Sequence, residues 1–406
     1  MRRPSVRVLL AVTALASLAG LVVAARHAAA DEDDGVVATH STETEAPSLP
    51  TGGRRSPKTR TAHSAGKTAV RHAVSPNVYA HAQEGMLARA VTSDAGRVYV
   101  PNSGSNTVDV IDPQTFRVVD QFAVGALPQH ITPSYDLKML YVNNDDGNSL
   151  TPIDPRTGKT RAPIPVDDPY NLYFTPGGRY AIVVAERLNR LDFRDGESFT
   201  LHHSLHVPCD GVNHMDFSAD GRYAIASCEF SGQLLKIDIA RERVIGRLIL
   251  RHGNAIPQDV RLAPNGRLFY VADLAAGGVW KVDGARFRVV GLDRTGPGAH
   301  GLVLSRDDRW LYVANRNGGS ISVVSTRTTG VVRTWRIPGG GSPDMGGVSA
   351  DGKVLWVSGR YNGVVYAIDT RNGHLLARVP VGAGPHGVLV WPQPGRYSLG
   401  HVGILR

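Results

Sequence analysis

The sequence predicts an all-β chain built as a seven-bladed β-propeller of four-stranded antiparallel blades. Three observations predict it. An apolar or aromatic anchor recurs at Tyr99, Tyr141, Ile182, Ile225, Tyr270, Tyr312, Trp356 and Leu399, at spacings of 41 to 45 residues. Each interval is filled by short, strand-length runs rich in β-branched and aromatic residues. Each is also punctuated by turn residues, as in "ADGR" at 219–222, "DPQT" at 112–115 and "DPRTGK" at 154–159, where Asp, Pro, Asn and Gly supply the backbone conformations that tight turns need. A period of this size with four short strands per unit belongs to propellers rather than to helical repeats.

The N-terminal elements come first. Arg2, Arg3 and Arg7 precede an apolar run over residues 8–25, and Ala28-Ala29-Ala30 offers a cleavage site before Asp31. This is the pattern of a secretory signal peptide over residues 1–30. An uncleaved anchor is the alternative, but Ala, Gly, Ser and Thr dilute the run. Residues 31–76 carry an acidic patch followed by Ser, Thr, Pro, Gly and scattered basic residues, with almost no large apolar side chains. Such a composition cannot bury enough surface to order itself, so a disordered linker is expected there and the propeller domain over 77–406. The expectation is a secreted or extracytoplasmic monomer with no membrane span once the signal is cleaved.

The full repeat is clearest in "HGLVLSRDDRWLYVANRNGGSISVVSTRTTGVVRTWRI", starting at His300. It reads as an inner strand, a turn, a second strand, a Gly-rich loop, a third strand, a turn and an outer strand. The third copy, "YAIVVAERLNRLDF", lacks the Gly-rich loop and is expected to present a distinctive set of side chains. After seven copies an additional inner strand remains at 388–391, with a possible partner at 398–404. An open first blade would expose a strand edge, so the final strands are expected to close onto the N-terminal blade. Eight blades, the last only partly formed, is the alternative.

The segments "VYVPNSGSNTVDVID", "LYVNNDDGNSLTPID", "LYVANRNGGSISVVS" and "GVVYAIDTRNGHLLARVPVGAGPHG" resemble the YVTN family of β-propeller repeat proteins, over about residues 86–391. The resemblance implies kinship with lactonase and cytochrome-d1-type seven-bladed propellers. It implies a fold and no single activity, because unrelated functions share it.

The stretches "GAHG" and "GPHG" each set a histidine before an apolar strand. Aligning the starts of the inner strands gives His130, Asn171, His214, Asp259, His300, Asp344 and His386, with a one-residue offset in the last three. In a propeller these starts meet at one mouth of the central channel. The plainer reading is that they satisfy unpaired backbone there. The functional reading is that imidazoles and carboxylates converge on a small ligand. The ligand could include a divalent metal, Zn or Cu, for which His214, His300 and His386 are the candidate ligands. On the same face Arg316 and Arg360 suit a carboxylate or phosphate group, and Asp145, Glu186, Glu229, Asp273 and Tyr361 lie in rim loops. His81, Glu84 and His401 fall near the closure and are expected to be solvent-exposed.

Cys209 and Cys228 both lie in the fourth repeat. A turn at 219–221 sets residues 211 or 212 opposite 228, so a disulfide is expected in an exported chain. A thiolate pair beside His214 is the alternative. The formal net charge of +9 overstates any basic surface: the signal segment holds four arginines and no acid, and the linker balances six basic against six acidic residues, leaving +5 on the folded part. These charges are dispersed among turns without interleaved aromatics, which argues against nucleic acid. No G-x-S-x-G, H-E-x-x-H or phosphate-binding Gly loop occurs. A binding module presenting a histidine-lined channel mouth to a small molecule, envelope component or protein is therefore expected. A metal-dependent or histidine-assisted enzyme at the same mouth, hydrolase or oxidoreductase, is the alternative.

Overall fold

A computed structural model describes residues 77–251, 254–328 and 330–406. The expected signal peptide and linker lie outside the described residues. Within them, 28 strands form seven four-stranded antiparallel sheets, joined by a single 3-10 turn at Arg89–Val91. Among the described residues no helix is long and apolar enough to cross a membrane.

Six blades are built from four consecutive strands. Blade 1 instead takes its inner strand from the far end of the chain. Leu389–Trp391 pairs antiparallel with Arg97–Asn102, in the register Arg97↔Trp391, Val98↔Val390 and Tyr99↔Leu389. The ring thus closes as expected, with seven blades. Among the described residues there is no eighth blade: residues 398–404 make only isolated bridges, Ser398↔Leu405 and Tyr173↔Gly400. Leu399 is accordingly no repeat anchor, despite its spacing, and packs among Tyr173, Phe217 and Ile404.

Burial follows strand position. Inner strands such as Pro128–Pro133, Val212–Phe217 and Pro257–Leu262 are buried along their whole length. Outer strands such as Arg243–Ile249 alternate exposed and half-buried residues, as a sheet with one solvated face should. Adjacent blades share apolar layers; Trp356, Val365, Val98 and Ile111, for example, fill the seam between blades 7 and 1. Cys209 and Cys228 form a disulfide at a Cα–Cα distance of 6.1 Å, and Val212 is the register partner of Cys228.

One local feature positions the channel residues. In every complete inner strand, pairing with the second strand slips at or beside the expected polar position: Pro128/His130, Pro169/Asn171, Val212/Met215, Pro257/Val260, Ala299/Leu302 and Pro343/Gly346. Such a bulge bends the strand and re-aims a side chain. The backbone it frees is satisfied by second-strand serines, with Ser227 Oγ accepting from the His214 amide at 3.3 Å and Ser358 Oγ from the Met345 amide at 3.2 Å.

Candidate functional site in the central channel

The bulges deliver His130, Asn171, His214, Asp259, His300 and Asp344, and the entry to the closing strand delivers His386, to one enclosed space, where all are buried. Ring centroids lie 4.7 Å apart for His130–His386, 5.4 Å for His130–His214, 5.6 Å for His300–His386 and 6.1 Å for His214–His300. The glycines after His300 and His386 make this approach possible. A Cβ on Gly387 would fall on the His130 ring, and one on Gly301 on the carbonyl of Asp344. The "HG" pair of the sequence is therefore a packing unit.

His401 corrects the expectation of a solvent-exposed residue. The tail over residues 393–406 leaves blade 1 and lies along the inner strand of blade 3, with the His401 amide donating to Leu172 O at 2.8 Å and the Phe174 amide to Leu399 O at 3.0 Å. His401 sits at φ 51°, a left-handed conformation that costs a non-glycine residue energy, and it is fully buried. Its ring centroid lies 4.9 Å from that of His130 and 5.1 Å from that of His214. The end of the tail is held by Arg406, which donates to Asp216 at 2.8 Å and to the Phe217 carbonyl at 2.7 Å.

The five rings divide into two groups. Asp344 takes His386 Nδ1 at 2.7 Å, His300 Nδ1 at 3.0 Å and Arg316 at 2.6 Å. Hydrogen-bonded to this carboxylate, Nδ1 of His386 carries the proton and its Nε2 is left as the acceptor, whereas His300 Nδ1 stands beside the carboxylate without hydrogen-bond geometry. Burial alone would raise the Asp344 carboxyl, but Arg316 and the two histidines hold it well below the usual range. Burial, followed by Arg316 for His300 and Arg360 for His386, lowers those rings to about 4 and about 3. The other group is His130, His214 and His401, each offering a ring nitrogen within 4.8 Å of the others. The sequence-level triad of His214, His300 and His386 is not this set. His300 and His386 are committed to Asp344, and His401 was invisible because it lies outside the repeat.

The family model for YNCE-like beta-propeller matches residues 60–395. The chain belongs to this family. It is also similar to protein NirF of Pseudomonas aeruginosa, at 30% identity over 142 residues, covering 34% of this chain and 35% of that protein. The match thus spans about a third of that relative's length. Among solved structures, hydrazine synthase of Kuenenia stuttgartiensis aligns at TM-score 0.60 and 19% identity, over 69% of this chain and 94% of that one. A putative 6-phosphogluconolactonase from Bacteroides uniformis aligns at 0.58 and 17%, over 73% and 99%. The dihydro-heme d1 dehydrogenase NirN in complex with DHE aligns at 0.55 and 15%, over 77% and 78%. These likenesses establish the propeller fold.

Around this family's channel the remaining candidates have identifiable tasks. Arg316 is tied to Asp344, and Arg360 donates to Ser103 Oγ at 3.1 Å and to the Gly384 carbonyl at 3.2 Å, stapling blade 7 to blade 1. Both guanidiniums therefore have internal partners. Asp273 is a loop cap, accepting from the Ile256, Ala275 and Ala276 amides at 3.0 Å each and from Trp280 Nε1 at 2.8 Å. Tyr361 is exposed and lies over Arg316 at 5.9 Å, while His81 and Glu84 are exposed as expected. The glycine-free loop of the third repeat does carry a distinctive residue. Arg187 contacts Asp168 at 2.7 Å and Asp145 at 3.4 Å, and also pairs with Asp146.

At the mouth Glu186 is buried and Glu229 half-buried. Burial and then Glu229, Asp145 and Asp168 raise the Glu186 carboxyl well above its ordinary value, and burial raises Glu229. Sequence reasoning missed Tyr170, whose ring touches His130 at 5.4 Å and His214 at 5.7 Å. It also missed Arg261, 3.6 Å from Asp259. The period-2 rule from Asp259 and from Asn171 would have found Arg261 and Tyr173 as the next tier of the channel.

Proposed function

We propose that this chain is an exported ligand-binding propeller whose central channel, covered at one end by its own C-terminal tail, holds a small ligand. One observation carries the reading: the buried channel concentrates ring nitrogens without hydrogen-bond partners, namely both of His130, Nε2 of His214, Nδ1 of His300 and Nε2 of His401. Residues that merely fill a core are paired or apolar, since an unpaired buried polar group costs about 1–3 kcal/mol. A ligand with matching chemistry recovers that cost. The signal-like N-terminus and the disulfide support export.

Native mass spectrometry of the chain, secreted by a bacterial host and gently purified, tests both parts. The expected polypeptide begins at Asp31 and carries additional mass that is released on denaturation and lost in His130→Phe. A bare polypeptide, together with a His130→Phe variant more stable than the parent, would identify the rings as filler and overturn the reading.

A second reading is favoured by the Asp344–His386 pair, in which the carboxylate orients the imidazole and leaves Nε2 as a base. A hydrolase of the kind named by the lactonase-like neighbour would use this pair. Turnover of a lactone by the purified protein would support that reading.

A further inference from the structure

We propose that His130, His214 and His401 form a binding site for one borderline divalent transition-metal cation, Zn2+ or Cu2+, in which the C-terminal tail supplies the third ligand. The inference rests on the reading of the channel as a ligand site and names the ligand.

The donors have the right chemistry and the right state. All three rings are fully buried, and burial, followed by neighbouring rings for His130 and His214 and by Arg261 for His401, keeps each neutral. A neutral imidazole is a ligand for Zn, Cu, Fe and Ni, whereas Ca2+ and Mg2+ require oxygen donors. Tetrahedral Zn–N bonds of about 2.0–2.1 Å place ligand nitrogens about 3.4 Å apart. The three rings, already within 4.8 Å of one another, need to close only by the short swings that a bound cation would draw from them.

The surroundings orient two of the three rings. Asn213 Oδ1 lies 3.1 Å from His214 Nδ1 and also accepts from Ser227 at 2.8 Å, so His214 Nδ1 is the protonated nitrogen and Nε2 presents its lone pair. Asn171 Oδ1 accepts from the Leu172 amide and its Nδ2 donates to His401 Nδ1 at 3.0 Å, so His401 is held with its proton on Nε2, 3.5 Å from Asp259, and ligates through that nitrogen by giving this proton up. His130 has no hydrogen-bond partner on either nitrogen and is fixed only by packing against Tyr170, Gly387 and the other rings.

Charge and backbone agree. Glu186, whose buried Oε1 has no hydrogen-bond partner, and Glu229 set two carboxyls at the mouth, where a passing cation meets them. Asp259 lies 3.5 Å from His401 Nε2. His401 is held at a positive φ that its own residue type disfavours, and backbone strain of this kind clusters at functional sites. The ligands come from blade 2, blade 4 and the tail, so the cation would also fasten the tail to the ring.

The test uses untagged full-length secreted protein, stripped with a chelator and titrated with Zn2+, Cu2+ and Co2+. His202 and His203 flank Glu242 on the surface, at 3.5 and 2.8 Å, and could bind metal adventitiously. The parent for the comparison is therefore the His202→Ala, His203→Ala double variant. The expected result is one equivalent of metal, a visible Co2+ spectrum of tetrahedral intensity, and a rise in Tm on loading. His130→Gln and, separately, His401→Gln each weaken binding by about 100-fold or more. If His130→Gln fails to fold, His401→Gln and the Co2+ spectrum of the parent decide. No stoichiometric binding to the parent, or binding unchanged in both variants, overturns the proposal. An organic mass released from a metal-free parent sinks the metal and leaves the channel reading standing, whereas a bare parent stabilised by His130→Phe sinks both.

Discussion

Asp344 accepts from Arg316 and His386 and lies 3.0 Å from His300 Nδ1, and among the described residues none of these three has an ion pair with another carboxylate. A side chain used this heavily is fixed by its neighbours, because removing one member of a buried charged set leaves the others desolvated and unpaired. Asp145 shows the opposite balance. It is buried beside Asp168, and burial, followed by the hydrogen bond with that second carboxyl, raises it to about 7 in spite of Arg187. Its folded value thus lies above its unfolded one. The native state keeps a proton that the unfolded chain releases near pH 4, so this contribution is fully present at about pH 4 and is lost as the pH climbs to about 7. Asp145→Asn should therefore match the parent at pH 4 and exceed it at pH 8, by on the order of 1–3 kcal/mol. Urea titrations at the two pH values check it; equal stability at both would show that the proton is not held.

At the scale of single elements, the inner strands do two things at once. Their apolar positions seal one blade to the next, and their bulges turn a polar residue toward the axis. Bulges of the same extent admit the polar residue at either of two places: His300 and Asp344 stand second in their strands, while His214 and Asp259 stand third. Blade 4 carries a further constraint, the disulfide between residues 19 apart that ties the loop before its inner strand to the end of its second strand. Closing a loop of that length stabilises a chain by about 3 kcal/mol. Cys209→Ser, Cys228→Ser should lower stability by roughly that amount, read by thermal or urea unfolding against the oxidised parent. An unchanged midpoint would mean that the bond does not form in the purified protein.

For the whole molecule, stability and function both hang on how the ring ends. Leu389–Trp391 completes blade 1, and Trp391 is buried, donating from Nε1 to Asp94 at 2.9 Å. Without that strand blade 1 has an open edge and the ring a seam. Trp391→Ala should cost about 3–5 kcal/mol from the lost core volume and lower the entire unfolding transition. A loss confined to blade 1, seen as faster amide exchange there alone, would show that closure is not coupled to the other blades. Past this strand the chain continues across the channel, and Arg406 on Asp216 anchors the segment that carries His401.

Fold class, blade number and closure were legible because they depend on local pattern: an anchor every 41 to 45 residues, turn residues between short apolar runs and a leftover strand seeking a partner. The disulfide was legible because strand register is local too. The seven polar positions were legible as a set because a repeat brings equivalent residues to equivalent places. What the sequence could not decide was the inward pairing among them, since whether a histidine meets a carboxylate or another imidazole depends on residues from blades far apart in the chain. Still less could it place His401. A segment outside the repeat follows no period, and only packing against the finished ring, through the backbones of blades 3 and 4 and the Asp216–Arg406 pair, turns it into the channel.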